Sequence, residues 1–240
     1  MKLSIRDLTD FFCCPYSVQN RMQGLRVTVN ENMVLGGLVH AARVKMNTAK
    51  RSTVLNGKQT IDYESQVEAT LQRVRYIVPP NMDLEEIVAR ALRILTTEWM
   101  WEQELTRNRS VDAVYPVKME EPVAFPPGIY GRVDGILVLD GNPIPLEYKT
   151  RGRDLGDIER LQVWAYCIGV GFKYHVPVRQ GFLQFSSPPR RVSVEFGAQQ
   201  KARVLKLYNE CVKFLNTGET GHKPIRTCKS CGYLNCKHRK

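Results

Sequence analysis

The most constraining stretch of the chain runs from Tyr130 to Lys149, where Asp140-Gly141 separates two strand-like runs. A two-residue hairpin turn of the primed type needs positive φ at both central positions, and Asp-Gly is one of the pairs that supply it. With that turn, Asp134 lies directly opposite Glu147. Successive strand residues alternate faces, so Lys149 joins Glu147 while Leu146 and Tyr148 point the other way. The opposite face then collects Val133, Leu137, Leu139, Ile144, Leu146 and Tyr148 as a candidate core. Moving the turn by one residue, to Gly141-Asn142, still leaves Asp134, Glu147 and Lys149 on one face.

Two carboxylates and an ammonium group side by side on a rigid hairpin suit a hard divalent cation. Oxygen ligands bind magnesium or manganese, which polarises a phosphate and lowers the pKa of a bound water. Lys149 then positions that water or stabilises charge growing on the phosphate. A solvent-facing salt bridge between Lys149 and the acids competes with this, and on the hairpin alone it is the simpler reading.

The rest of the chain supplies a frame for the hairpin. Ser4 is a candidate cap for a first helix, with Asp7 at the capping-box position, Leu8, Phe11 and Phe12 as its apolar stripe, and Pro15 as its breaker. A short helix is expected over about Gly36 to Met46, followed by a polar loop over 48–62. Helical periodicity resumes from Glu64 to Tyr76 and stops at Pro79-Pro80. Asp83 with Glu86 is a second capping-box candidate, opening a long helix through Trp101 to about Arg107. Strands follow at Val114–Val123, Tyr130–Leu139 and Ile144–Thr150, then a helix at Asp157–Gly169. Two strands, Val178–Phe185 and Arg191–Phe196, precede a last helix from Ala198 to Asn216. This order predicts an α/β chain with a mixed sheet flanked by helices.

The 240 residues suffice for one well-packed domain with an inserted subdomain. Thirty-five Lys and Arg against 24 Asp and Glu give a formal charge of +11, which favours a polyanionic partner because bound phosphates release counterions. The basic residues are scattered along the chain, so solubility explains the surplus equally well. No apolar run is long enough to cross a membrane, and the N-terminus lacks the apolar segment of a secretory signal. The expectation is a cytoplasmic protein without a membrane partner.

Seven cysteines in such a chain point to metal binding, catalysis or burial rather than disulfides. Cys167 and Cys211 lie in apolar helical runs and read as core. Cys228-Lys229-Ser230-Cys231, with Cys236 beyond, lets one short segment present three thiolates to a metal or cluster. For the fourth ligand, His238 would complete a local zinc knuckle. Cys14 would instead tie the N-terminus to the C-terminus, and Cys13 beside it leaves two candidates there.

Asp134 followed by Pro145-Leu146-Glu147-Tyr148-Lys149 resembles the D…(D/E)xK motif of the PD-(D/E)xK nuclease superfamily. Gly36-Gly37-Leu38-Val39-His40 resembles the upstream GxxxH element of its RecB-like branch, and Gln162-Val163-Trp164-Ala165-Tyr166 resembles its QxxxY element. Gln162 and Tyr166, four apart, are neighbours on one helix face. An N-terminal Cys-Pro, these motifs and three C-terminal cysteines together are similar to the CRISPR-associated exonucleases of the Cas-four family. Related iron–sulfur nucleases of helicase–nuclease complexes share the layout.

The resemblance implies a restriction-endonuclease-like core of a mixed central sheet flanked by helices. It divides a single nuclease domain into an N-terminal segment (1–35), a mostly helical insertion (48–128), a catalytic core (130–216) and a C-terminal cysteine segment (217–240). It implies Asp134, Glu147, His40 and the Tyr148 carbonyl as ligands of Mg2+ or Mn2+. Lys149 is then the group acting on water or phosphate, and Gln162 and Tyr166 order the DNA backbone or support Lys149. It implies an iron–sulfur cluster on Cys14, Cys228, Cys231 and Cys236, of the four-iron type or the two-iron type. The implied substrate is DNA, especially single-stranded or splayed ends, trimmed during CRISPR spacer acquisition with integrase proteins as partners. A repair or recombination nuclease, and a non-catalytic zinc-knuckle protein that binds nucleic acid, are the alternatives. A homo-oligomer is compatible with all of them.

Overall fold

The computed structural model describes residues 1–25, 27–56, 65, 68–70, 82–150, 155–225, 233 and 236. In chain order its elements are β1 (Leu3–Ser4), α1 (Ile5–Cys13), α2 (Pro15–Met22), α3 (Glu31–Asn56), α4 (Leu84–Thr106) and α5 (Val111–Val114). There follow β2 (Lys118–Phe125), β3 (Ile129–Leu139), β4 (Asn142–Lys149), α6 (Asp157–Tyr174), β5 (Gln180–Ser186), β6 (Pro189–Glu195) and α7 (Ala198–Thr217). Among the described residues no helix is long and apolar enough to cross a membrane.

The hairpin forms in the expected register. Asp140 and Gly141 have φ of 50° and 77°, and the pairs Leu139↔Asn142, Leu137↔Ile144 and Gly135↔Leu146 follow from that turn. β4 continues the sheet in parallel with β5, and β6 closes it antiparallel to β5. β2 pairs antiparallel along one edge of β3 from Ile129 to Ile136. On the other edge β1 takes Ile129 and Tyr130 while β4 takes Gly135 to Leu139, so among the described residues the edge has no strand partner between them. That gap is where the site lies.

Two layers of helix cover the sheet. On one side α1, α6 and α7 share a core that includes Leu8, Phe11, Leu161, Val170, Leu183 and Phe214. α6 sits close because Gly181 beneath it has no side chain: a Cβ there would stand 2.5 Å from Val163 and 3.1 Å from the Cys167 sulfur. Cys167 and Cys211 are core residues, as expected. On the other side Leu35, Leu38, Val39, Ala42 and Met46 of α3 pack on Ile87, Ala91 and Leu95 of α4. Leu137, Ile144, Leu146 and Tyr148 cluster with Leu139, as the alternation predicts, but Val133 joins the α1/α6/α7 core instead. The partner strand distorts at this point: Glu120 of β2, opposite Asp134 in the β2–β3 register, has φ 53°.

Several boundaries differ from the sequence expectation. The Ser4–Asp7 capping box forms in both directions, but Pro15 opens a second helix as its first residue rather than ending helical structure. At α4 only half the box is present, with Asp83 accepting from the Glu86 N–H at 3.0 Å. The strand expected from Val114 starts only at Lys118, and residues 111–114 form a helical turn. The Arg191 guanidinium donates to the carbonyls of Ala113 and Val114 at 2.8 and 2.9 Å, satisfying that turn's C-terminal end. The helix expected over Glu64 to Tyr76 lies mostly outside the described residues.

The largest difference is α3, which spans 26 residues and continues through 48–56, where a polar loop was expected. Two basic residues of α3 that look solvent-facing, Arg43 and Lys50, are buried in polar partnerships. Arg43 donates to both Glu98 oxygens (3.0 and 2.7 Å) and to Ser186 Oγ (2.7 Å), and Lys50 Nζ donates to Glu102 Oε2 at 2.8 Å. Gln184 of β5 donates to Glu98 and Glu102 at 2.8 and 3.0 Å, and Arg191 donates to Gln184 Oε1. Burial opposes the Glu98 carboxylate, but Arg43 and Lys50 outweigh it and hold its pKa below the ordinary range. Removing one partner of a buried pair leaves the other charge uncompensated, so Glu98→Ala should cost about 3–5 kcal/mol. Urea unfolding followed by circular dichroism measures this, and a loss under 1 kcal/mol would show that the network contributes little.

Candidate active site

Three elements converge at the gap in the β3 edge. β3 brings Asp134, β4 brings Glu147, Tyr148 and Lys149, and α6 lies across them with Gln162 and Tyr166. Backbone pairing of β4 with β3 ends at Gly135↔Leu146. One step beyond, the Tyr148 N–H donates to Asp134 Oδ2 at 2.9 Å, so a side chain takes the place of a ladder acceptor. This bond holds the Asp134 carboxylate against β4 beside Glu147.

Lys149 Nζ donates to Glu147 Oε1 at 2.8 Å and to Gln162 Oε1 at 2.9 Å. The Gln162 amide returns a bond to Glu147 Oε1 at 2.8 Å and one to the Tyr166 hydroxyl at 3.2 Å. Glu147 is only 6% exposed, which removes the solvent-facing salt bridge as a description of this hairpin. Burial first, then the neighbouring Asp134 charge, pushes the Glu147 carboxyl up to about 7. Burial also raises Asp134, against the Tyr148 N–H that favours its anion. Burial works against the Lys149 ammonium, yet Glu147 outweighs it and keeps that group more basic than a free lysine.

His40, on α3, reaches the same place from the opposite helical layer. Its Nδ1 faces Asp134 Oδ1 at 3.9 Å and its Nε2 contacts Glu120 Oε1. Donor atoms of His40, Glu120 and Asp134 all lie within 4.8 Å of one another. All seven sequence-predicted residues, His40, Asp134, Glu147, Tyr148, Lys149, Gln162 and Tyr166, are thus brought together. The Tyr148 ring points to the other face, under the Arg43 guanidinium at 4.1 Å, so only its backbone serves the site.

The donor set fits a divalent cation. The second Glu147 oxygen, Oε2, is buried and receives no N–H or O–H donor among the described residues, and the partly buried Asp134 carboxylate beside it raises the Glu147 pKa, a repulsion that a divalent cation between the two would relieve. Sequence reasoning missed Glu120. A turn centred on Pro127, in Pro126-Pro127-Gly128, would have placed Glu120 opposite Asp134, a signal comparable to Asp140-Gly141.

Cys14 stands apart, between α1 and α2, and is partly exposed; Cys13 is buried. The chain after α7 returns to this corner. His222 Nε2 lies 2.7 Å from the Phe12 carbonyl, and the Ile225 N–H donates to the Cys13 carbonyl at 3.0 Å. Cys236 is partly exposed, while Cys228, Cys231 and His238 lie outside the described residues.

A raised carboxyl pKa has a consequence for stability. Protonated Glu147 stabilises the fold below its unfolded pKa, and this contribution is lost as pH rises through about 7. Metal-free protein should therefore lose roughly 2–3 kcal/mol relative to Glu147→Gln between about pH 5 and pH 8. Mn2+ should restore stability at the upper end. Parallel pH profiles of the two proteins in chelator would exclude the raised pKa.

Comparison with known proteins agrees with this geometry. The chain matches the PD-(D/E)XK nuclease superfamily over residues 2–236. No curated protein matches it. A structure named "Putative exonuclease" from Eubacterium rectale aligns with 90% of this chain and 80% of that one, at 12% identity and a TM-score of 0.57, a likeness of fold alone. The structure named SSO0001 aligns with 100% of this chain and 87% of that one at 16% identity, and its TM-score of 0.46 adds no argument. The family match takes in the hairpin, the helix across it and both ends of the sheet: the chain belongs to the PD-(D/E)XK nuclease superfamily, whose members use divalent metal ions.

Proposed function

We propose that this nuclease is a metal-dependent deoxyribonuclease acting on single-stranded or splayed DNA ends. The observation that carries it is the hydrogen-bonded Asp134–Glu147–Lys149–Gln162 arrangement, in which the Lys149 ammonium and a buried Glu147 oxygen without a donor stand at the same gap in the sheet. Asp134 and Glu147 are the metal-holding carboxylates, with His40 and the Tyr148 carbonyl as further ligands. A bound Mg2+ or Mn2+ supplies Lewis-acid polarisation of the phosphate and a more acidic water. Lys149, kept cationic by Glu147, stabilises charge on the phosphate or orients the water. Gln162 fixes the Lys149 ammonium, and Tyr166 buttresses Gln162.

A cleft of about 710 Å3 supports the preference for single strands. It runs from Lys149, Gln162 and Tyr166 past Tyr130 and Arg132 to Arg6 on α1. Tyr130 is 48% exposed, and basic side chains with an open aromatic suit a strand whose phosphates and bases are both accessible. The return of the chain to Phe12 and Cys13 supports an iron–sulfur cluster on Cys14, Cys228, Cys231 and Cys236, since Cys228 follows Ile225 by only three residues. The setting, DNA processing for CRISPR spacer acquisition beside integrase proteins, rests on the cysteine layout alone, and a repair helicase complex shares that layout.

Asp134→Asn should abolish Mg2+- or Mn2+-dependent cleavage of end-labelled single-stranded DNA. Lys149→Ala should lower kcat about 100- to 1,000-fold, the range for loss of one charge-stabilising group. Cleavage at the parent rate by both variants would refute the assignment. Anaerobically purified protein should be brown, contain iron and lose its colour in Cys14→Ala. A colourless protein with zinc that is lost in His238→Ala would replace the cluster with a local knuckle.

A further inference from the structure

Glu120 is bound on both of its oxygens. Oε1 contacts His40 Nε2, and Oε2 accepts from Arg132 Nη1 at 3.2 Å. Its backbone holds φ 53°, a left-handed conformation that a non-glycine residue keeps only where surrounding structure imposes it. The neighbouring Glu121 behaves differently, engaging Lys173 Nζ at 2.8 Å and the Tyr174 hydroxyl at 2.7 Å. The backbone kink at Glu120 therefore accompanies a carboxylate turned towards one particular histidine.

We infer that Glu120 is a positioning residue for His40: it accepts a hydrogen bond from Nε2–H and so leaves Nδ1 as the nitrogen presented to the cation held at Asp134. This rests on the metal site proposed above. A neutral imidazole has one N–H and one lone pair, and the carboxylate that takes the N–H decides which nitrogen keeps the lone pair. Metal-ligating histidines commonly donate their other N–H to such a carboxylate, which fixes both tautomer and ring orientation. Here Nδ1 is the nitrogen facing Asp134, and 3.9 Å is too long for a hydrogen bond between them. Direct ligation by Glu120 fits less well, because His40 and Arg132 occupy both of its oxygens while Glu147 Oε2 has neither partner. Arg132 completes the device by anchoring the carboxylate from the side away from His40.

The test is Mn2+ binding to the full chain, read by the electron paramagnetic resonance of free Mn2+, with the His40 tautomer read by 15N NMR. Glu120→Asn keeps a residue that tolerates left-handed backbone but is one methylene shorter, so it separates lost contact from lost fold. It should weaken Mn2+ binding about 10- to 100-fold and abolish the single Nε2–H tautomer. Glu120→Gln, whose amide oxygen still accepts a hydrogen bond from Nε2–H, should keep the tautomer and most of the affinity. In a His40→Ala background, Glu120→Asn should have no further effect. Multiplying losses in the double variant would overturn positioning in favour of direct ligation, and unchanged affinity in Glu120→Asn or in His40→Ala would overturn the inference outright. Failure of the underlying metal site is a separate result: Mn2+ binding would then survive Asp134→Asn.

Discussion

The register of one hairpin governs the site. Because Asp140 and Gly141 both accept positive φ, β3 and β4 pair with Leu139 against Asn142, and every later pair follows. A slip of one strand residue against the other would move Glu147 and Lys149 away from Asp134 and reverse what the core receives. The pairing then stops at Gly135↔Leu146, and Asp134 takes the Tyr148 N–H that a ladder carbonyl would otherwise take. One side chain thus ends the ladder, opens the gap and stands at its mouth. The chemistry of the site depends on a strand pair that is regular up to Gly135 and interrupted immediately after it.

Behind this hairpin the helices of the opposite layer meet the sheet through charge rather than hydrocarbon alone. Arg43 lies over the Tyr148 ring and binds Glu98, while Lys50, Glu102, Gln184 and Arg191 extend the contact. Such a network is specific in geometry because each member must be satisfied, and a misplaced helix would leave charges buried without partners. The same helix α3 carries His40 to the site, three residues before Arg43 of that network. Seating of α3 by Arg43 and Lys50 therefore also sets where the His40 ring lies relative to Asp134.

The two ends of the chain form a separate corner. α1 is capped by Ser4 and Asp7 and packs on α6 and α7, and the segment after α7 returns to bind the carbonyls of Phe12 and Cys13. The cleft that begins at Lys149 ends along α1, so this corner and the site share a wall. A tie between the termini would hold that wall in place by shortening the excursions open to α1.

Local signals were legible where they are chemical and short in range. The Asp-Gly turn, the Ser4–Asp7 cap, the period-two alternation of β3 and β4 and the four-residue spacing of Gln162 and Tyr166 each act within a few residues, and each is present. Polar residues were misread where their burial depends on distant partners. The stretch 48–56 continues a helix whose Lys50 meets Glu102, and Val133 joins the other core where β2, paired with β3, takes positive φ at Glu120. By itself the sequence determined the hairpin and the shared face of Asp134, Glu147 and Lys149, since turn chemistry and strand alternation need no tertiary information. Only the tertiary structure decided that Glu147 is buried with an unpartnered oxygen and that Glu120 stands beside His40. Burial and through-space partnership arise from segments about eighty residues apart, and nothing in the local sequence encodes them.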